Sequence, residues 1–146
     1  MVTIPALYWV VTMSNLIIPS NVFQEMIAYC KAGYPNEACG ILAGKDNEVS
    51  KIYKMTNTEN SPVTYMLDSK EQFKAMKDMR DNDLSMLAIF HSHPSSAAYP
   101  SAKDVSLAFY EDSVYIIVSL MNKEPIVKGF LIREGKIQEI ELKISE

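Results

Sequence analysis

Apolar residues recur in this chain with two periods, and the switches between them divide it into elements. Residues 16–18 form a short strand-like run. Ser20 then stands as a candidate cap before Val22, Phe23, Met26, Ile27 and Cys30, a helical stripe that stops at Gly33. Residues 38–43 are apolar, Gly44-Lys45-Asp46-Asn47 reads as a turn, and Val49, Ile52 and Tyr53 continue as the second strand of a hairpin. After a loop at 56–62, residues 63–67 read as a further strand. Asp68 or Ser69 starts a helix to about residue 81, with Phe73, Met76 and Met79 predicted to face inward and Lys70, Lys74, Lys77 and Arg80 to face water.

The strongest strand signal follows at 84–93, where an apolar run ends in His91 and His93. A loop at 94–100 leads to a helix predicted from Ser101 to about Tyr110. Runs at 114–120, 126–132 and 137–144 close the chain, the last alternating Ile140, Leu142 and Ile144 with charged residues. Strands and helices are interspersed throughout. The expected fold is α/β: one domain with a central mixed sheet, helices on its faces and hairpins within it.

Composition narrows the setting. A chain of 146 residues, 48% hydrophobic and 22% charged, suits one globular core and excludes disorder or a repeat array. Net charge is −4, and no run of basic residues exists to neutralise a phosphate backbone, so nucleic acid is not an expected partner. Cys30 and Cys39 have neither CxxC spacing nor the density of a secreted scaffold, which suits a reducing cytoplasm. Residues 1–13 are apolar but too short to span a membrane and lack a basic leader. They are read as an N-terminal extension to a domain at 14–146, with Met13 as an alternative start.

The chemistry concentrates in residues 91–104. Both histidines of the chain lie there, one residue apart, so the period of a strand aims them to one face. His91, His93 and Asp104 plus one water make the open four-coordinate set that zinc uses in catalysis. Each piece also has a structural reading. A histidine at a strand end often serves only as a hydrogen-bonding group, and Ser101-x-x-Asp104 is a capping box in its own right. The two roles of Ser101 and Asp104 are compatible, because a helix start projects a hydroxyl and a carboxylate from a rigid place.

The stretch HSHPSSAAYPSAKD resembles the signature of the JAMM or MPN-plus metalloproteases: His-x-His, usually with Pro next, then Ser and Asp at these spacings. In that family a glutamate far upstream completes the site, ahead of a strand carrying Cys-Gly or a similar small pair. Asn36-Glu37-Ala38-Cys39-Gly40 occupies that place here, and the resemblance runs from about residue 16 to 120. Spacing alone does not select Glu37 from the other acids. A carboxylate leading into an apolar strand would, however, be partly desolvated and suited to moving protons. Cys39, with no histidine near it in sequence, reads as a small core residue rather than a nucleophile.

The resemblance implies a cytidine-deaminase-like JAMM/MPN fold and one Zn2+ held by His91, His93 and Asp104. It implies Glu37 as general base and the Ser101 hydroxyl as oxyanion donor in amide hydrolysis. It also implies as partner a ubiquitin-like or sulfur-carrier protein cleaved after its C-terminal Gly-Gly. Lacking the long insertions of eukaryotic ubiquitin-cleaving relatives, the chain resembles the short prokaryotic branch; a homodimer is one compatible assembly. Two rival readings stand beside this one. A DNA-repair-associated branch has Asn between the histidines and Ser-Gly after the proline, where this chain has Ser92 and Ser95-Ser96. A non-catalytic scaffold would retain the fold and lose the ligands, all of which are present here.

Overall fold

A computed structural model describes residues 14–146; the predicted extension at 1–13 lies outside them. The elements follow the order β1 (Asn15–Pro19), α1 (Ser20–Gly33), β2 (Cys39–Lys45), β3 (Glu48–Met55), α2 (Ser69–Asp81), β4 (Ser85–His93), α3 (Ala102–Ser106), β5 (Val114–Ser119), β6 (Ile126–Arg133) and β7 (Lys136–Ser145). Seven strands form one mixed sheet in the order β3-β2-β4-β5-β6-β7-β1. β4 pairs antiparallel with β2 and parallel with β5. β1 lies parallel to β7 over five register pairs and touches β3 through the single pair Ile17 and Glu48, which curls the sheet toward closure.

Helices cover the two faces. On one, Val22, Met26 and Cys30 of α1 pack against Leu42, Phe90, Ile116 and Val118. On the other, Ala75 and Met79 of α2 pack against Cys39, Ile41 and Ala43, and a neighbouring cluster joins Ile89, Tyr115, Ile117 and Phe130 to Ala98 and Val105. β4 is buried from Leu87 to His93 because both of its edges are paired and both of its faces are covered. Gly40 is required where β2 crosses Phe90: a Cβ there would run into that ring and into the Tyr53 carbonyl. Both cysteines are free and buried, as the core reading of Cys39 expected, and burial pushes each thiol up to about 12.

Four local expectations are corrected. Ser20 is the first residue of α1 rather than its cap; Pro19 is the N-cap and no side chain caps it. Residues 63–67 do not form a strand but a loop tied by the single bridge between Asn57 and Leu67. The Asn57 side chain takes the bonds a neighbouring strand would have made, accepting the Met66 N–H and donating to the Thr64 carbonyl. Phe73 is 73% exposed. With about 100° per residue, it lies roughly a third of a turn from the stripe made by Ala75, Met76 and Met79. Finally, α3 ends at Ser106 instead of near Tyr110, because Leu107 leaves helical geometry and the Tyr110 N–H turns to the Tyr115 hydroxyl at 3.0 Å. Asp68 caps α2, accepting the Glu71 N–H at 3.0 Å. Among the described residues no helix is long and apolar enough to cross a membrane.

Candidate metal centre

Strand alternation decides what β4 presents to each side. Ile89, His91 and His93 point to the face that carries α3, whereas Ala88, Phe90 and Ser92 point to the α1 face. The two imidazoles converge: His91 Nε2 and His93 Nε2 are 3.2 Å apart. Asp104, projecting from the first turn of α3, brings its Oδ2 to 3.2 Å from His91 Nε2 and 3.0 Å from His93 Nε2. The three sequence-predicted ligands therefore present three atoms to one point, within 4.8 Å of one another.

This triangle has the dimensions of a tetrahedral zinc face. Zinc–ligand bonds of about 2.0–2.1 Å place neighbouring ligand atoms roughly 3.3 Å apart. Electrostatics agrees, since three acceptor atoms in so small a space repel one another unless a cation or a proton sits among them. His93 Nδ1 lies 2.8 Å from the Ala97 carbonyl, which makes Nδ1 the protonated nitrogen and aims the Nε2 lone pair at the centre. Burial lowers the His91 pKa. At His93 burial pulls the same way but is outweighed by the Asp104 hydrogen bond, the Ala97 carbonyl and nearby carboxylate charge, so its pKa is raised. Asp104, despite burial, is held well below the usual carboxylate range by its bonds to both histidines.

Ser101 and Asp104 realise the capping box in full. Ser101 Oγ accepts the Asp104 N–H at 3.0 Å, and the Ser101 N–H donates to Asp104 Oδ2 at 2.9 Å. Oδ2 is the same oxygen that faces both histidines, so the cap fixes the carboxylate orientation. Because Oγ acts as acceptor in the cap, its own O–H remains to donate outward, and the residue is exposed.

Glu37 sits just before β2 and is 4% exposed. Its Oε1 is buried without a hydrogen-bond partner. Burial raises its pKa from 4.5 to about 8; the His93 charge opposes this, the Asp104 charge adds to it, and Lys103 opposes it. A carboxyl poised near neutrality beside a candidate cation site is equipped to accept and return a proton. Sequence reasoning did not find the residues that support these groups. Ala97 acts through its carbonyl, which no side-chain motif reveals; Ser92, Tyr65 and Asn57 act through contacts made only in the folded chain. Strand alternation could have flagged Ser92, since it must face away from its histidine neighbours.

Residues 19–130 match the profile of a family described as prokaryotic homologs of the JAB domain. The chain belongs to this JAB family. Its curated relatives include a CysO-cysteine peptidase of Mycobacterium tuberculosis, 36% identical over 92% of this chain and 94% of that protein. They also include a desampylase of Pyrococcus furiosus, 31% identical over 90% and 92%. A solution structure from Desulfitobacterium hafniense superposes with a TM-score of 0.81 at 39% identity, covering 90% of this chain and 94% of that one. The JAMM/MPN architecture expected from the histidine motif is thus the JAB fold found here.

Beside the candidate metal centre this JAB domain carries an apolar hollow of about 270 Å³. Tyr65, Leu67, Ile89, Phe109, Tyr110 and Tyr115 are among the residues that line it. Ile89 is one strand repeat before His91, so the hollow adjoins the centre along the same face of β4.

Proposed function

We propose that this JAB-family chain is a zinc peptidase that hydrolyses the amide bond following the C-terminal Gly-Gly of a ubiquitin-like or sulfur-carrier protein. The observation that carries the reading is the meeting of His91, His93 and Asp104, together with Glu37, a buried carboxyl with an unpartnered oxygen that feels the charges of His93 and Asp104. Relatives named as a CysO-cysteine peptidase and a desampylase support both the hydrolysis and the class of substrate.

In this reading His91 Nε2, His93 Nε2 and Asp104 Oδ2 hold the ion. Zinc, when bound, supplies Lewis acidity, which acidifies water and polarises a carbonyl. Glu37 takes a proton from the attacking water through its unpartnered carboxylate oxygen. Burial makes it basic enough for the task, and it returns the proton to the departing amine as the C–N bond breaks. The Ser101 hydroxyl donates to the oxygen that gains negative charge at the carbonyl. The adjoining apolar hollow offers the extended carrier tail a surface along β4.

Mass spectrometry of carrier fusions tests the proposal. Carriers ending in Gly-Gly, extended by cysteine or joined to a lysine side chain, are incubated with the zinc-loaded protein. Release of a carrier ending at Gly-Gly, abolished by a chelator and by Glu37→Gln, is expected. A zinc-loaded protein that leaves every such fusion intact would refute it.

A further inference from the structure

The two histidines are held in unlike ways. His93 donates Nδ1–H to the Ala97 carbonyl, the customary arrangement in which the distal nitrogen of a metal-binding imidazole is tied to an acceptor. His91 has no such tie: its Nδ1 is buried with no hydrogen-bond partner. The terminal torsion of a histidine is broad, so an untied ring can rotate and carry Nε2 off the metal direction. Something other than a hydrogen bond must define its plane.

The Tyr65 ring lies against the His91 imidazole, with centroids 4.4 Å apart and planes within 20° of parallel. Tyr65 belongs to the irregular loop before α2, and a loop would be a poor clamp if it were slack. It is pinned on both sides of the tyrosine by one amide. Asn57 Nδ2 donates to the Thr64 carbonyl at 3.0 Å, and Asn57 Oδ1 accepts the Met66 N–H at 3.1 Å. The second Nδ2 hydrogen goes to the Glu37 carbonyl at 2.9 Å, and Oδ1 also accepts the Glu59 N–H at 3.0 Å. Every donor of the amide is used, and reversing it would set donors against donors and acceptors against acceptors, so its orientation is fixed. One side chain thereby links the residue proposed as base to the residue that stacks on a ligand.

We propose that Tyr65, locked by Asn57, is a positioning residue that sets the His91 ring plane for metal binding. The inference rests on reading His91, His93 and Asp104 as the ligand set. It assigns the work to the aromatic face of Tyr65 and none to its hydroxyl.

Zinc affinity, measured on the full chain by competition with a chromogenic chelator, tests this together with the visible absorption of the cobalt-substituted protein. Tyr65→Phe keeps the ring and should bind zinc within about two-fold of the parent with an unchanged cobalt spectrum. Tyr65→Leu should weaken zinc binding by roughly 10- to 100-fold and alter the cobalt bands, the range found when support of a ligand is removed. Asn57→Ala should move both readouts in the same direction, and it carries the test if the leucine variant does not fold. Parental affinity and cobalt spectrum in folded Tyr65→Leu or Asn57→Ala would overturn the proposal. So would Tyr65→Phe binding as weakly as the leucine variant. Asp104→Ala reports on the underlying reading: full zinc retention there would mean that the ligand set, rather than the positioning role, is wrong.

Discussion

Ser92, between the two histidines, accepts the backbone N–H of Ala38 on its Oγ at 2.8 Å, and its own N–H donates to the Ala38 carbonyl at 3.0 Å. Ala38 directly follows Glu37, so the serine that faces away from the proposed metal centre fastens the histidine strand to the segment bearing the proposed base. Ser92→Ala leaves a buried N–H without an acceptor. It should lower stability by about 1–3 kcal/mol in denaturant titration. Hydrolysis should fall while zinc content is maintained, because His91 and His93 remain on a fully paired strand.

Glu37 should imprint a pH dependence on the stability of the metal-free protein. Its pKa is raised on folding from 4.5 to about 8, so between these values the folded state binds more protons than the unfolded state. Stability therefore falls as pH rises through that window and levels off above it. Full expression of the shift corresponds to about 5 kcal/mol as an upper bound. Glu37→Gln removes the charge and should flatten the curve, leaving the variant more stable than the parent at pH 9 in thermal or denaturant unfolding.

Ligand and base should separate on mutation. Asp104→Asn keeps a carbonyl oxygen for the Ser101 N–H but removes the negative charge, so zinc should be lost while β4 and its neighbours stay folded. Glu37→Gln should retain stoichiometric zinc and lose turnover by about 10²- to 10⁴-fold. Metal analysis and a cleavage assay on the same preparations check both, and equal zinc loss in the two variants would break the division of roles.

Ser101 has two tasks that substitution can divide. Glycine is a tolerable N-cap, costing only a few tenths of a kcal/mol relative to serine, whereas loss of an oxyanion donor lowers turnover by about 10²- to 10³-fold. Ser101→Gly should thus melt close to the parent and still be a poor enzyme. A variant that loses stability and activity in proportion would leave only the capping role.

Zinc affinity should fall in acid. The raised His93 pKa and the Asp104 carboxylate together hold a proton where the ion would sit, and each binding event must displace it. Calorimetry in buffers of different ionisation enthalpy should detect proton release on zinc binding near pH 6.

Much of this fold was legible because burial marks the sequence: β4, covered on both faces, reads as a continuous apolar run, and α1, covered on one, as a helical stripe. The run into His91 and the stripe from Val22 to Cys30 announce their elements, and the histidine motif announces the three residues that meet at the candidate centre. Legibility failed where a single distant contact decides the outcome. Residues 63–67 have strand-like composition, yet Asn57 supplies their partners and leaves them a loop. Phe73 has the chemistry of a core residue but the wrong angular position on α2. Glu37 was found through resemblance; its burial depends on the packing of segments far apart in sequence and is not encoded at its own position.

α3 has no buried residue among its five, whereas His91 and His93 lie on a strand buried from Leu87 onward. The three candidate ligands are therefore held unequally: two stand on a core strand, and the third is carried by a short helix that Val105 packs against the core and that its own cap starts. In the proposed zinc site, a substitution that loosens α3 would therefore disturb the carboxylate arm alone and leave the imidazole pair in register.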